Sequence, residues 1–432
     1  MGRHHLAGAL AVLAGVAGPA AAAAGAEERP PNFVFLLADD AGYGDLGCYG
    51  NAKIKTPNLD RMAADGLRFT SFYSCAPICT PSRAGLLTGR YPIRNGLTRV
   101  LNPKSKDGID ASETTLAEAL KKRGYATAII GKWHLGHLPE FLPTRHGFDR
   151  YFGVPYSNDM DPRPLLRDEK VIEDNAELTN LAKRYTDEAV QFIADSRDKP
   201  FFLYVPYTMP HVPLAASEKF KGKSEGGLYG DVMEEQDWSV GEILAALKKH
   251  GLEKNTLVVY SSDNGPWLEK LPDAGSAGKL RDGKFSTFEG GVRMPCLACW
   301  PGKIKAGRVA DRPAMMFDWY PTFVSLAGGK LPEDRVIDGK DLSGVLLGTG
   351  TRADEEFYFY FEEDLQSHRS GPWKLKLPHK GKDEHPLLLF NLDDDPSEQT
   401  NLADKHPDVV ERLKKEMDEF KKKLGDVPKT KR

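Results

Sequence analysis

"NFVFLLADD", residues 32–40, sets the reading of the chain. The first seven residues carry no charge, six of them are apolar, and two aspartates follow at once. A run that is apolar at nearly every position, rather than at alternate ones, describes a strand covered on both faces. Such strands belong to parallel sheets with helices on either side. Four further runs have the same character: "YATAII" (125–130), "FFLYVPY" (201–207), "TLVVYSS" (256–262) and "CLACW" (296–300). Amphipathic helical patterns separate them, in "TPNLDRMAADG", "TTLAEALKKRG", "YTDEAVQFIADS" and "MEEQDWSVGEILAALKKHG". The expected fold is α/β, with a large, mostly parallel sheet sandwiched by helices from about residue 32 to about 330.

From about residue 340 the pattern changes. "EEFYFYFEE" and "PWKLKLP" alternate partially, and "LLLFNLDDDPSEQTNLA" is a strand entering an acidic turn. "HPDVVERLKKEMDEFKKKLG" is an amphipathic helix with Pro407 early, Gly425 as its stop, and an apolar stripe of Val409, Val410, Leu413, Met417, Phe420 and Leu424. These predict a smaller C-terminal antiparallel sheet plus a helix, docked on the main domain. The 432 residues suit one large and one smaller domain. The expected division is 1–26 as a leader, 27–340 as the main domain and 341–432 as the C-terminal subdomain.

The leader has the parts of an export signal. "MGRHH" is a short basic start, "LAGALAVLAGVAG" is an apolar run too short to span a bilayer, and Ala24-Gly25-Ala26 is a small-residue cleavage site. No later run is long and apolar enough for a membrane span, and no lipid-attachment cysteine follows the leader. A net charge of −3 excludes the global basic field of a nucleic-acid binder. The chain has no N-x-[ST] sequon and an odd count of five cysteines. These fit an exported bacterial protein, periplasmic or extracellular. Cys296 and Cys299 form a C-x-x-C within an apolar strand-like run, where residues three apart point to opposite faces. They read as core residues, since no second C-x-x-C completes a zinc site.

In an open α/β sheet, ligands bind beyond the carboxyl ends of the strands. Here four strands end in chemistry. The first runs into Asp39 and Asp40, the second into Lys132 and His134, the third into His211, and the fourth into Asp263 and Asn264. Singly, "DD" and "DNG" are ordinary turn formers. Together, three carboxylates, an amide, a lysine and two imidazoles describe one polar site. The oxygen ligands Asp39, Asp40, Asp263 and Asn264 suit a hard cation, Ca²⁺ or Mg²⁺, better than zinc.

"CTPSRAGLLTGR", residues 79–90, adds an anion site. Pro81 suits a first helical turn, which puts Cys79 at the helix N-terminus, and Arg83 lies one turn further on. A cysteine thiolate is one reading of that position, because such sites depress a thiol's pKa, although a thiol nucleophile needs no hard cation beside it. The residues alone lead to a metal-assisted hydrolase of sulfate or phosphate esters, with the two left open.

"CTPSRAGLLTGR" resembles the type I sulfatase pattern C-x-P-S-R-x-x-x-L-T-G-R at every fixed position, and "GKWHLG" resembles the second sulfatase motif. The likeness continues through "LADDAGYGDLGCYGN", "HGFDRYFGVPYSND", "PHVP", "SSDNGP", "GKFSTFEGGVRMP" and "FNLDDDPSEQTNLA". It covers roughly residues 32–304 and part of the C-terminal region, and within the family it is nearest the arylsulfatase A and N-acetylgalactosamine-6-sulfatase branch. The resemblance implies an alkaline-phosphatase-like fold. It implies that Cys79 is oxidised to Cα-formylglycine by a maturation enzyme that reads C-x-P-x-R, and that one hydroxyl of the hydrated aldehyde attacks sulfur while the other later expels sulfate. It implies Ca²⁺ held by Asp39, Asp40, Asp263 and Asn264, with residue 79 alongside. Arg83 would steady residue 79 and the carboxylates. Lys132 and His134 would flank the diol, with His134 as the base of the elimination. His211 and Lys284 would contact the sulfate and the bridging oxygen, with His211 as general acid. Ser157 would lie near the sulfate.

The expected substrate is a sulfated carbohydrate or small molecule. Two alternatives are a phosphate or phosphonate monoester hydrolase of the same superfamily and a non-catalytic binder of sulfated glycans. Specificity is expected from loops 99–112, 157–172, 213–228 and 265–280 and from the C-terminal subdomain, where His368 and Arg369 are candidates to reach the pocket. Lys279 reads as an ordinary surface lysine.

Overall fold

The computed structural model describes residues 29–380 and 384–425, together with Met1, Gly2, His4, His5 and Gly8. The expected leader falls largely outside the described residues, and so does the segment 426–432.

The main sheet contains β1 (Asn32–Ala38), β2 (Leu67–Tyr73), β3 (Ala126–Ile130), β4 (Arg150–Gly153), β5 (Leu165–Arg167), β6 (Lys170–Glu173), β7 (Phe201–Pro206), β8 (Thr256–Ser262), β9 (Arg293–Cys299), β10 (Arg308–Ala310) and β11 (Ala314–Met315). Their order is β10-β2-β9-β8-β1-β7-β3-β4-β5-β6, with β11 beside β2. β1 is buried along its whole length and lies parallel to both neighbours, with Leu37 opposite Pro206 of β7 and Ser261 of β8. β3 is parallel to β7 in turn. The carboxyl ends of β8, β1, β7 and β3 therefore lie side by side.

Alternate residues of β1 enter different hydrophobic layers. Phe33, Phe35 and Leu37 join helices Cys79–Thr88 and Trp319–Leu326, while Val34, Leu36 and Ala38 join helices Pro57–Asp65, Leu181–Asp195 and Gly227–Lys249. Cys296 and Cys299 fall into those two separate layers, as the strand period requires. All five cysteines are free thiols.

Two features of this sheet depart from the pattern read in sequence. β2 breaks its apolar run with half-buried Arg68 and Thr70, which hides it from a search for continuous runs. β9 runs antiparallel to both β8 and β2. Between β8 and β9 the chain forms only the short turns Leu268–Lys270 and Glu289–Val292. Without a long helix to carry it back across the sheet, it re-enters from the end it left.

The C-terminal sheet is antiparallel in chain order: β12 (Glu356–Phe361), β13 (Asp364–Ser370), β14 (Trp373–Lys376) and β15 (Leu388–Asn391). Helix Pro407–Leu424 buries Val410, Leu413, Met417 and Phe420, which share a hydrophobic layer with β12 and with the helix that starts at Cys79. The two sheets are thus joined by a common core. Among the described residues no helix is long and apolar enough to cross a membrane.

Candidate active site

Ile78 is extended (φ −149°, ψ 153°) and Cys79 opens a helix whose ten residues are all buried. Register between the parallel strands brings the other groups to it. Asp39 N donates to the Met209 carbonyl and Asp263 N to the Ala38 carbonyl, which ties the ends of β1 and β8 and the segment after β7 together. Beyond β3, Gly131 takes φ +135°, and a Cβ there would lie 1.9 Å from the Pro206 carbonyl oxygen. Only glycine allows that approach, and it delivers Lys132 to the end of β7. Asp40 and His134 both adopt positive φ (71° and 63°), an uncommon conformation for residues with a side chain.

The side chains converge. Cys79 Sγ is 3.6 Å from Asp39 Oδ1. Arg83 donates from Nε and Nη2 to Asp263 Oδ2 (2.9 and 2.8 Å) and from Nη1 to the Lys132 carbonyl (3.0 Å). Lys132 Nζ spans both Asp39 oxygens (2.9 and 2.7 Å) and donates to Ser157 Oγ. Lys284 Nζ is 2.8 Å from Asp40 Oδ2, and His211 Nε2 is 3.5 Å from the same oxygen. Asn264 donates to Asp40 Oδ1 at 2.7 Å. All eleven residues expected at the site from sequence therefore gather in one buried cluster.

Four neighbours were not named individually, although Leu101 and Trp267 fall in the 99–112 and 265–280 loops expected to border the site. Thr80 donates to the His134 carbonyl (2.9 Å), the Leu101 carbonyl lies 2.9 Å from His134 Nε2, and the Trp267 ring stands edge-on to His211 with centroids 5.7 Å apart. Phe285, next to Lys284, is the fourth. Thr80 and Phe285 sit inside quoted motifs, so adjacency was their only signal. Leu101 acts through its backbone, which sequence does not expose. His368 and Arg369 do not join the site. His368 stacks on Tyr358 and pairs with Glu416 at 2.8 Å, and Arg369 donates to Tyr73. Both are spent holding the C-terminal sheet.

That sheet does reach the site indirectly, through the segment that carries Lys284. Lys376 Nζ donates to Thr287 Oγ1 at 2.6 Å, Lys374 Nζ lies 2.8 Å from Glu289 Oε1, and Glu398 accepts the Glu289 N–H at 2.6 Å.

The charges are strongly perturbed. Burial pushes the Asp39 carboxyl up, but Lys132, His211, Arg83 and Lys284 outweigh it and hold the group far below the usual carboxylate range. Burial pushes Asp263 up to about 6 even with Arg83 against it, because Asp39 and Asp40 are like charges nearby. Burial raises the Cys79 thiol despite Lys132 and Lys284. Against the protein's own cations desolvation is the larger effect, which weighs against the thiolate reading of that position. Burial, followed by Lys132 and Arg83, holds His134 well below its ordinary value, so it is neutral. Its Nε2 faces the Leu101 carbonyl as a donor, and its Nδ1 is buried without a hydrogen-bond partner, free to accept a proton.

The same cluster fits a hard cation. Oxygens of Asp39, Asp40 and Asp263 and the Cys79 sulfur all lie within 4.8 Å of one another. The Asn264 side-chain oxygen is buried with no hydrogen-bond partner, an orphan acceptor of the kind a cation satisfies.

Comparison with known proteins agrees with this chemistry. The sulfatase family model matches residues 31–329, and the C-terminal model of N-sulphoglucosamine sulphohydrolase matches residues 280–423. N-acetylgalactosamine-6-sulfatase of Mus musculus is 41% identical, covering 93% of this chain and 88% of that protein. Arylsulfatase A of Homo sapiens is 40% identical over 91% of this chain and 88% of its own. Among solved structures, the PsFucS1 sulfatase from Pseudoalteromonas sp. superposes with a TM-score of 0.86 at 31% identity, covering 93% of this chain and 92% of that one. The chain belongs to the sulfatase family and is a sulfuric ester hydrolase.

Proposed function

We propose that the enzyme removes sulfate from a sulfated carbohydrate, with Cys79 matured to formylglycine and Ca²⁺ held by Asp39, Asp40, Asp263 and Asn264 beside residue 79. The observation that carries this reading is the position of Cys79. It opens a buried helix, touches Asp39, and lies with oxygens of Asp39, Asp40 and Asp263 where a hard cation fits, so residue 79 sits where a nucleophile is required. Formylglycine would supply a geminal diol as nucleophile, and the cation would lower the diol's pKa and bind a sulfate oxygen.

The chain's own residues would then divide the work. Arg83 fixes Asp263 and, through the Lys132 carbonyl, the Lys132 backbone. Lys132, Lys284 and Ser157 would bind sulfate oxygens as the ester enters, exchanging their contacts with Asp39, Asp40 and each other. His134 Nδ1 would take a proton from residue 79. His211 Nδ1 is 2.7 Å from the Val212 carbonyl, to which it donates, so Nε2 faces the reacting atoms. Burial lowers the group's pKa against the pull of Asp40. His211 would act as general acid only as the imidazolium, with a second proton on Nε2 to give to the leaving oxygen. Residues 27–340 would form the catalytic domain and 341–432 a subdomain that completes it. The leader 1–26 would export the enzyme to the periplasm or exterior of a bacterial cell, where its partners are the substrate and, earlier, the maturation enzyme.

Mass analysis of tryptic peptide 69–83 from a host that matures sulfatases tests the reading, with Cys75 as an internal control. Residue 79 is expected to have lost its sulfur and two hydrogens and gained an oxygen, and the matured protein to hydrolyse aryl sulfate faster than aryl phosphate. Two intact thiols in an active preparation would remove the formylglycine step, and a preference for phosphate would favour the phosphomonoesterase alternative.

A further inference from the structure

Beside the sulfate site opens a cleft of about 770 Å³. None of the eleven site residues lines it, but their immediate neighbours do. Ile78, which lines it, precedes Cys79. Leu101 lends its carbonyl to His134, and Phe285 follows Lys284. One wall is the 99–107 loop, with Arg99, Lys104 and Lys106 against the single carboxylate of Asp107. Lys104 and Lys106 are exposed, and among the described residues neither forms an ion pair. The other wall carries two aromatic rings, Phe285 and Phe361, edge to face with centroids 6.5 Å apart, and Glu362. Phe285 is 38% exposed and held at φ +73°, its N–H bonded to the Pro77 carbonyl at 3.0 Å and its ring edge-on to Trp267. A bulky residue rarely adopts that conformation, and here it keeps an apolar ring in the cleft rather than in the core.

The sulfate being cleaved does not need the loop cations, since Lys132, Lys284, His211 and Arg83 already surround its site. Ammonium groups on one wall and aromatic faces on the other match a pyranose that stacks its C–H face on phenyl rings and presents an anionic substituent to lysine. We propose that this cleft is a subsite for the sugar next to the sulfated one, selecting a neighbour that carries an anionic group, with Lys104 and Lys106 reading the charge and Phe361 and Phe285 the ring. The proposal rests on the sulfated-carbohydrate reading and adds a charge requirement to it.

The test uses matured full-length enzyme and four substrates: nitrophenyl sulfate, a sulfated disaccharide whose second ring is a uronate, the same disaccharide with the carboxyl reduced to an alcohol, and one with a second sulfate in its place. kcat/KM is expected to favour the two anionic-neighbour disaccharides over the reduced one by about fivefold to tenfold, the size of two partly exposed charge contacts, and this preference should shrink at high salt. Lys104→Ala with Lys106→Ala should erase that preference and leave nitrophenyl sulfate within about twofold. Phe361→Ala should lower all three disaccharides by similar factors and spare nitrophenyl sulfate. For any disaccharide that is not turned over, its inhibition of nitrophenyl sulfate hydrolysis gives the same ranking. Equal preference for charged and reduced neighbours, or a double lysine variant that ranks the disaccharides as wild type does, overturns the subsite while leaving the sulfatase intact. Uronate and sulfate neighbours ranking differently would tell which anion the lysines read. If matured enzyme turns over neither nitrophenyl sulfate nor any of the disaccharides, the reading beneath the proposal fails, and direct calorimetric binding of the same disaccharides decides the subsite alone.

Discussion

Two clusters of buried charge sit at the two ends of the Lys284 segment, and they behave differently. One joins Asp39, Asp40 and Asp263 to Arg83, Lys132 and Lys284. The other joins Glu289 and Glu398 to Lys374, with Tyr73 donating to Glu289 at 2.8 Å and Arg293 at 3.3 Å from it. Both are cut off from solvent. In the second, both Glu289 oxygens are hydrogen-bonded, while Glu398 Oε1 lies 3.0 Å from Lys374 Nζ without a hydrogen bond and Glu398 itself takes φ +53°. In the first, the Asn264 oxygen and His134 Nδ1 have no partner, and two residues take positive φ. Buried charge alone therefore does not mark a site. What marks this one is the convergence of three carboxylates, an unpartnered amide oxygen and Cys79 on one point, whereas the second cluster pairs its charges between two elements and is a joint between sheets.

The comparison can be broken most severely at Cys79. Cys79→Ala should reduce aryl sulfate turnover by a factor on the order of 10⁶, the scale of losing a nucleophile, with little change in the urea midpoint. A large residual rate would mean that residue 79 is not where the chemistry happens.

Removing Lys374 attacks the joint. Lys374→Met leaves two glutamates buried around one missing charge, and equilibrium unfolding should lose about 3–5 kcal/mol. Lys284→Ala is its counterpart in the first cluster, where kcat should fall about 10²–10³-fold before stability suffers. If the lysine variants exchange these phenotypes, the division between site and joint is wrong.

The smallest effect is a pH dependence. Burial, with Lys374 adding to it, depresses Lys376 to about 7 from 10.5. Below pH 7 both folded and unfolded chains carry the charge and the fold bears the full penalty. Between 7 and 10.5 the unfolded chain binds more protons, so Lys376's contribution to stability rises with pH. Lys376→Met should flatten that rise in urea midpoints. Glu398 acts in another window. Burial raises its carboxyl to about 7 against the pull of Lys374, so its contribution falls as pH rises from about 4.5 to 7. An unchanged slope above pH 7 in Lys376→Met would show that the lysine is better solvated than its surroundings suggest.

Much of the site was legible because strand ends are. Asp39, Lys132, His211 and Asp263 each follow an apolar run, and parallel register does the rest. Cys79 was legible through Pro81 and the helical pattern after it. The joint was not. In "WKLK" the alternation would send Lys374 and Lys376 to solvent, yet both are buried, at 0% and 3% exposure. Their partners Glu289 and Thr287 lie more than 80 residues earlier, and no local pattern reports such a pairing. β13 was missed for a related reason: "DLQSHRS" is polar, and its buried Ser367, His368 and Arg369 find their partners in other elements.

The grip of β14 and Glu398 on the Lys284 segment also orders events in time. Residue 79 leaves the ribosome early, while Lys374 and Lys376 emerge almost 300 residues later and Glu398 later still. In the finished fold Cys79 is 1% exposed and its whole helix is sealed. A modifying enzyme can reach that side chain only before the helix packs. On the formylglycine reading proposed above, a chain made in this order would expose residue 79 first and acquire the last supports of Lys284 only when synthesis is nearly complete.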